Sequence, residues 1–131
     1  MVKVFSKLVL IIFIAGLFAV TGCKKEDKGY DIANGTWAVS ITADGTESRL
    51  IYDFQGNSES GEVFYNNENR GTYTVTGETN VRFSVNHYNA AQEVFVYSYN
   101  GVFTDFYHMS GTFTVTHPDG FVQQGTWTAD R

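Results

Sequence analysis

The sequence predicts an all-β fold, an eight-stranded antiparallel up-and-down barrel, over residues 34–131 of the 131-residue chain. Three observations lead there. Past the first 20 residues Leu is scarce while Thr, Val, Tyr and Phe are plentiful, with one Pro and 13 Gly in the whole chain; branched and aromatic side chains suit a pleated, half-buried surface. From Asn34 onward no window carries 3.6-residue apolar periodicity. Instead, eight short alternating runs recur about every 11–13 residues, separated by turn residues. Connections this short suit hairpins and leave no room for crossover helices. Eight meander strands with one apolar face leave no open edge if they close on themselves.

The elements follow in order. Thr36–Thr42 puts Trp37, Val39 and Ile41 on one face and ends at Ala43-Asp44-Gly45. Arg49–Gln55 sets Leu50, Tyr52 and Phe54 against Arg49, Asp53 and Gln55, before GNSES. Glu62–Asn66 is short and precedes NEN. Thr72–Thr76 sets Tyr73 and Val75 against three threonines, before GETN. Val81–Tyr88 sets Val81, Phe83 and Val85 against Arg82, Ser84 and Asn86, before NAAQ. Val94–Thr104 is expected to bend or bulge at Asn100-Gly101. It is apolar on both faces, because Phe95, Tyr97 and Tyr99 alternate with Val94 and Val96; such a strand implies an outer surface covered by a loop, a partner or the N-terminal segment. Met109–Thr116 points Gly111, Phe113 and Val115 one way and ends at HPDG; Val122–Ala129 points Trp127 and Ala129 inward. An eight-stranded barrel is wide enough to be filled by side chains or to hold one small ligand.

The N-terminus has a different character. Two lysines, Lys3 and Lys7, precede thirteen uncharged, mostly large apolar residues, Leu8 to Val20. A membrane-spanning helix needs about 20 such residues. A basic start before a shorter apolar run is the secretory pattern, which makes residues 1–22 a cleavable leader. Next come Val20-Thr21-Gly22-Cys23 and a charged run, Lys24 to Lys28. Val-Thr-Gly-Cys resembles the bacterial lipobox, and that resemblance implies lipid attachment at Cys23 with cleavage before it. Acyl chains contribute about 0.8 kcal/mol per buried CH₂, so two or three on one residue anchor stably. Residues 23–33 then read as the lipidated Cys and a flexible charged tether. Within it, Lys25-Glu26-Asp27 resembles the surface-export signal of bacteroidete-type lipoproteins. That implies an outer-membrane protein at the cell surface; a plain tether leaves the periplasmic face open. As the only cysteine, Cys23 also rules out an intramolecular disulfide.

Four phrases recur in the barrel region: Gly35-Thr36-Trp37, Gly71-Thr72-Tyr73, Gly111-Thr112-Phe113 and Gly125-Thr126-Trp127. They resemble the lipocalin-like (calycin-like) small barrels of bacterial lipoproteins. The resemblance implies that Trp37 plugs one barrel end and that Arg131, just past the last strand, packs over its ring. It also implies a barrel interior that takes a ligand, for which Tyr52, Phe54, Tyr73, Phe83 and Phe113 are the candidates.

The remaining chemistry excludes several classes. Net charge is −5, and about −7 once Lys3 and Lys7 are removed. An acidic chain without a basic cluster repels phosphate backbones, so nucleic acid is not expected as a partner. His87, His108 and His117 have no i,i+2 or i,i+4 mates and read as surface or turn residues; no metal site is expected. Asp53 and Glu62 are placed to face each other across the second hairpin on the polar face, without a cleft. No nucleophile elbow, Walker loop or dinucleotide fingerprint occurs. Neither a cofactor nor enzyme activity is expected. Tyr88, Tyr97, Tyr99 and Tyr107, with Phe95, Phe103 and Phe106, form an aromatic concentration around the sixth strand that suits sugar stacking, a protein contact or simple core filling. The expected function is a lipid-anchored, non-catalytic envelope binding module holding a small amphipathic or hydrophobic ligand in the barrel. The alternative is an accessory subunit of an outer-membrane or cell-surface assembly with a solid barrel. A hydrolase inhibitor acting through a loop is a third reading.

Overall fold

A computed structural model describes residues 31–131. The leader, Cys23 and Lys25-Glu26-Asp27 lie outside the described residues. Eight strands form a closed barrel in sequence order: β1 Gly35–Ala43, β2 Thr46–Gly56, β3 Ser60–Tyr65, β4 Glu68–Thr76, β5 Asn80–Tyr88, β6 Val94–Asp105, β7 His108–Thr116 and β8 Val122–Asp130. Every neighbouring pair is antiparallel, and β8 closes onto β1 through Ala38↔Asp130 to Thr42↔Thr126. This is the up-and-down architecture expected of a lipocalin-like barrel.

Two strands, β2 and β4, start three or four residues earlier than their alternation suggests, because their turns are shorter. Asp44 and Gly45 both take positive φ, 51° and 75°. A two-residue turn with two positive φ values matches strand twist, so pairing begins at once with Ala43↔Thr46. Asn66 and Asn67, at 51° and 64°, make the same turn between β3 and β4, so β4 begins at Glu68 rather than Thr72.

The alternation places the core. Trp37, Val39, Tyr52, Phe54, Tyr73, Val81, Phe83, Val85, Phe113, Trp127 and Ala129 are all buried. Sheet pairing also settles the ambiguous β6: Tyr99 and Phe103 are buried, Phe95 and Tyr97 pack against the core, and Val94 and Val102 are exposed. The expected irregularity at Asn100-Gly101 does not occur, since Asn100↔Thr112 and Gly101↔Gly111 keep register. The shift lies between Phe103 and Asp105 instead. Gly101 serves packing. A Cβ there would sit 2.6 Å from Cζ2 of Trp127, whose Nε1 donates to the carbonyls of Asn100 (3.1 Å) and Thr112 (2.9 Å). A second shift, between Val63 and Phe64, leaves Arg70 on β4 without a cross-strand mate, as a bulge.

The two barrel ends differ. At the end where β1 begins, Ile32 is fully buried and Ala33 nearly so, so the barrel takes in two residues that the sequence reads as tether. The Trp37 Nε1 donates to the Ile32 carbonyl at 3.2 Å, and the Arg131 guanidinium lies 5.0 Å from the Trp37 ring centroid. Phe103 meets the same indole edge-on, with centroids 6.0 Å apart. The chain entering the barrel and the chain leaving it therefore close this end together. The β1–β2, β3–β4, β5–β6 and β7–β8 turns surround the other end, the mouth of the barrel.

Candidate functional site

The five residues proposed to line a ligand cavity all point inward, and they pack on one another. Phe83 lies 5.1 Å from Phe54 and 4.2 Å from Tyr99, the latter stacked at 14°. Tyr73 meets Phe54 at 5.5 Å, Tyr52 meets Phe83 at 6.1 Å, and Phe113 meets Tyr99 at 5.9 Å. Aromatic pairs at these separations are in contact, so the middle of the barrel is filled with rings. Two concavities, of about 230 and 360 Å³, are lined by residues of β4–β6, and the outward side chains of Thr74, Arg82 and Asn100 border both. These side chains alternate with the buried ones, which puts the concavities on the outer wall.

A polar chain runs through the filled interior toward the mouth. The Tyr99 and Tyr52 hydroxyls are 2.8 Å apart, and the Tyr52 hydroxyl is 2.7 Å from Nε2 of His87. Burial raises both tyrosine pKa values far above the usual range, so neither phenol ionises and each keeps its proton for hydrogen bonding. Burial, and secondly the nearby Arg70 guanidinium, lowers His87 to about 4. His87 is therefore neutral at physiological pH.

At the mouth each inward histidine sits between two aromatic rings. His87 lies 4.6 Å from Tyr65 and 4.7 Å from Tyr97. His117 lies 5.1 Å from Phe95 and 5.1 Å from Phe121. The strands explain this: Tyr65, His87, Phe95 and Tyr97 continue the inward faces of β3, β5 and β6, and His117 follows β7. Phe121 and Tyr88 are exposed, and the Arg70 guanidinium lies 4.7 Å over the Tyr88 ring while Glu68 pairs with it at 2.6 Å. Two buried nitrogens, Nε of Arg70 and Nε2 of His117, have no hydrogen-bond partner among the described residues.

The remaining candidates separate by register. His108 does sit at the surface, bonded to Asp105 at 2.8 Å. His117 does head the β7–β8 turn, with Gly120 N–H donating to its carbonyl at 2.9 Å, although its ring packs between Phe95 and Phe121; His87 is not a surface residue, because β5 alternation turns it inward. Asp53 and Glu62 do not face each other. Asp53 opposes Phe64 and Glu62 opposes Gln55, a two-residue offset; Asp53 accepts from Thr36 and Glu62 from Asn69. The aromatics of β6 and of the turn after it divide by height. Phe95 and Tyr97 reach the mouth, Tyr99 the centre, and Phe103, Phe106 and Tyr107 the plugged end. Sequence reasoning missed Tyr65 and the His117–Phe121 pair; alternation extended to the last residue of β3 finds Tyr65, whereas His117 and Phe121 lie in the β7–β8 turn, beyond the strands. No protein-family model, curated protein or solved structure matches the chain.

Proposed function

We propose that this protein is a non-catalytic binding module, held at the outer membrane by lipid on Cys23. It presents the mouth of its barrel, rather than a hollow interior, to a small amphipathic ligand. One observation carries this reading. The polar chain inside the ring-filled barrel, Tyr99–Tyr52–His87, ends among the half-buried aromatics of the mouth. The mouth lies at the opposite end from Ile32, where the chain from Cys23 enters, so a barrel tethered there turns its mouth away from the membrane. The Lys25-Glu26-Asp27 run favours the cell surface over the periplasmic face.

The solid interior also supports the second reading, an accessory subunit of an outer-membrane or surface assembly. The exposed Val94 and Val102 on β6 and Ile51 on β2 are its contact candidates. Native mass spectrometry of the full-length protein separates the two. A stoichiometric small molecule lost in the Tyr97→Ala variant supports the mouth site. An empty barrel that instead pulls down one outer-membrane protein supports the assembly subunit. The anchor has its own test: Cys23→Ser is expected to leave the membrane fraction or to accumulate uncleaved, and normal fractionation of that variant would refute lipidation.

A further inference from the structure

Resting on the reading of the mouth as the binding surface, we infer that its ligand is an uncharged, polyhydroxylated molecule, a neutral glycan. Four features of the mouth each remove or favour one ligand class. First, an acyl chain needs a cavity to bury it, and the space beneath the mouth is taken by Tyr52, Phe83 and Tyr99. Second, the mouth is acidic: Asp44, Glu47, Glu68, Glu93 and Asp119 come from its turns and strand ends, against Arg49 and Arg70. A field of that sign repels carboxylated, sulfated and phosphorylated ligands.

Third, four of those carboxylates are already engaged. Asp44 accepts from Gln123 at 2.9 Å, Glu68 pairs with Arg70, Glu93 accepts from Asn89 at 3.0 Å, and Asp119 accepts from the Phe121 backbone N–H at 3.0 Å. Each of these contacts takes up part of a carboxylate's acceptor capacity, so a cationic ligand would share those groups with partners already in place. Fourth, what remains suits a sugar. Ring faces and edges of Tyr65, Tyr97, Phe95 and Phe121 offer apolar area to the C–H side of a pyranose. Asn66, Asn67 and Gln92 place exposed side-chain amides on the rim; each amide both donates and accepts, as paired hydroxyls require.

The test uses the full-length protein in a zwitterionic, sugar-free detergent. It is applied to an array of neutral and acidic glycans, and hits are titrated by calorimetry. Expected is binding to a neutral oligosaccharide, weakened about tenfold by Phe121→Ala or Tyr97→Ala and unchanged by Tyr107→Ala at the plugged end. Phe121 is 60% exposed, so its truncation leaves the core intact, which circular dichroism checks. Preference for uronic or sulfated glycans, or a neutral glycan indifferent to both mouth substitutions, overturns the inference. A blank array with a lipid or peptide recovered by native mass spectrometry, and lost in Phe121→Ala, overturns the glycan class but leaves the mouth as the site. A blank array with no ligand recovered overturns both.

Discussion

His87 is the residue at which packing and chemistry meet. Its folded pKa, about 4, lies below the ordinary 6.5 because burial and then Arg70 disfavour the imidazolium. The unfolded chain takes up a proton near 6.5 while the native protein holds off until about 4. Stability is therefore full above 6.5 and falls as pH drops through that window. Melting temperatures recorded from about pH 7 to 4 should decline more steeply in the wild type than in His87→Gln, which keeps a hydrogen-bonding group but does not titrate there. The imidazole resonances of His87 should titrate near pH 4; a midpoint near 6.5 would contradict its burial. The two tyrosines of the polar chain should separate as well. Tyr52→Phe leaves both the Tyr99 hydroxyl and His87 Nε2 without their partner, costing about 1–3 kcal/mol in urea unfolding. Tyr99→Phe leaves the Tyr52–His87 bond intact and should cost less, about 1 kcal/mol.

At the scale of the element, the recurring Gly-Thr-aromatic phrase has a packing explanation. In a strand, residues two apart share a face, so each glycine lies inside with its aromatic partner. At Gly71 and Gly111 the missing side chain lets neighbouring backbone approach, while at Gly125, and at Gly61 and Gly101 outside the phrases, it also makes room for a ring. Gly61 is opposite Tyr73, and a Cβ on it would lie 2.6 Å from the Tyr73 Cε1. Gly125 is opposite Phe113, with a Cβ 2.7 Å from its Cε1. Gly101 leaves space for Trp127 in the same way. Overpacking of a well-filled core costs about 1–3 kcal/mol, so Gly61→Ala and Gly101→Ala should each lower the urea midpoint by a corresponding amount. A neutral Gly101→Ala would mean that the Ser110 carbonyl and Trp127 do not crowd this position as described. The strand faces were legible in the sequence because alternation has a fixed period. Turn lengths and bulges were less so. The registers that let Arg70 bulge and keep Gly101 in line depend on cross-strand neighbours that alternation along one strand does not contain.

At the scale of the whole molecule, the barrel closes one end with the segments that lead into β1 and out of β8. Ile32 accepts from the Trp37 indole, and Arg131 covers its ring. A guanidinium on an aromatic face is worth about 0.5–2 kcal/mol, so Arg131→Ala should destabilise within that range in chemical unfolding without altering the mouth. Deleting Ile32 and Ala33 with the preceding residues should cost more, since both are buried.

The sequence by itself determined the class of fold, the number of strands and nearly every inward side chain, because these follow from local alternation and turn chemistry that any one strand carries within itself. It also pointed to Trp37 and Arg131 as partners. Only the tertiary structure decided that the interior is full rather than hollow, since that depends on how rings from Tyr52, Phe54, Phe83 and Tyr99 meet across the barrel. It alone brought Tyr65, His87 and Tyr97 together from three strands. And it separated the β6 aromatics, adjacent along the chain, to opposite ends: a twelve-residue strand rising about 3.3 Å per residue carries neighbours in sequence to places that do not touch.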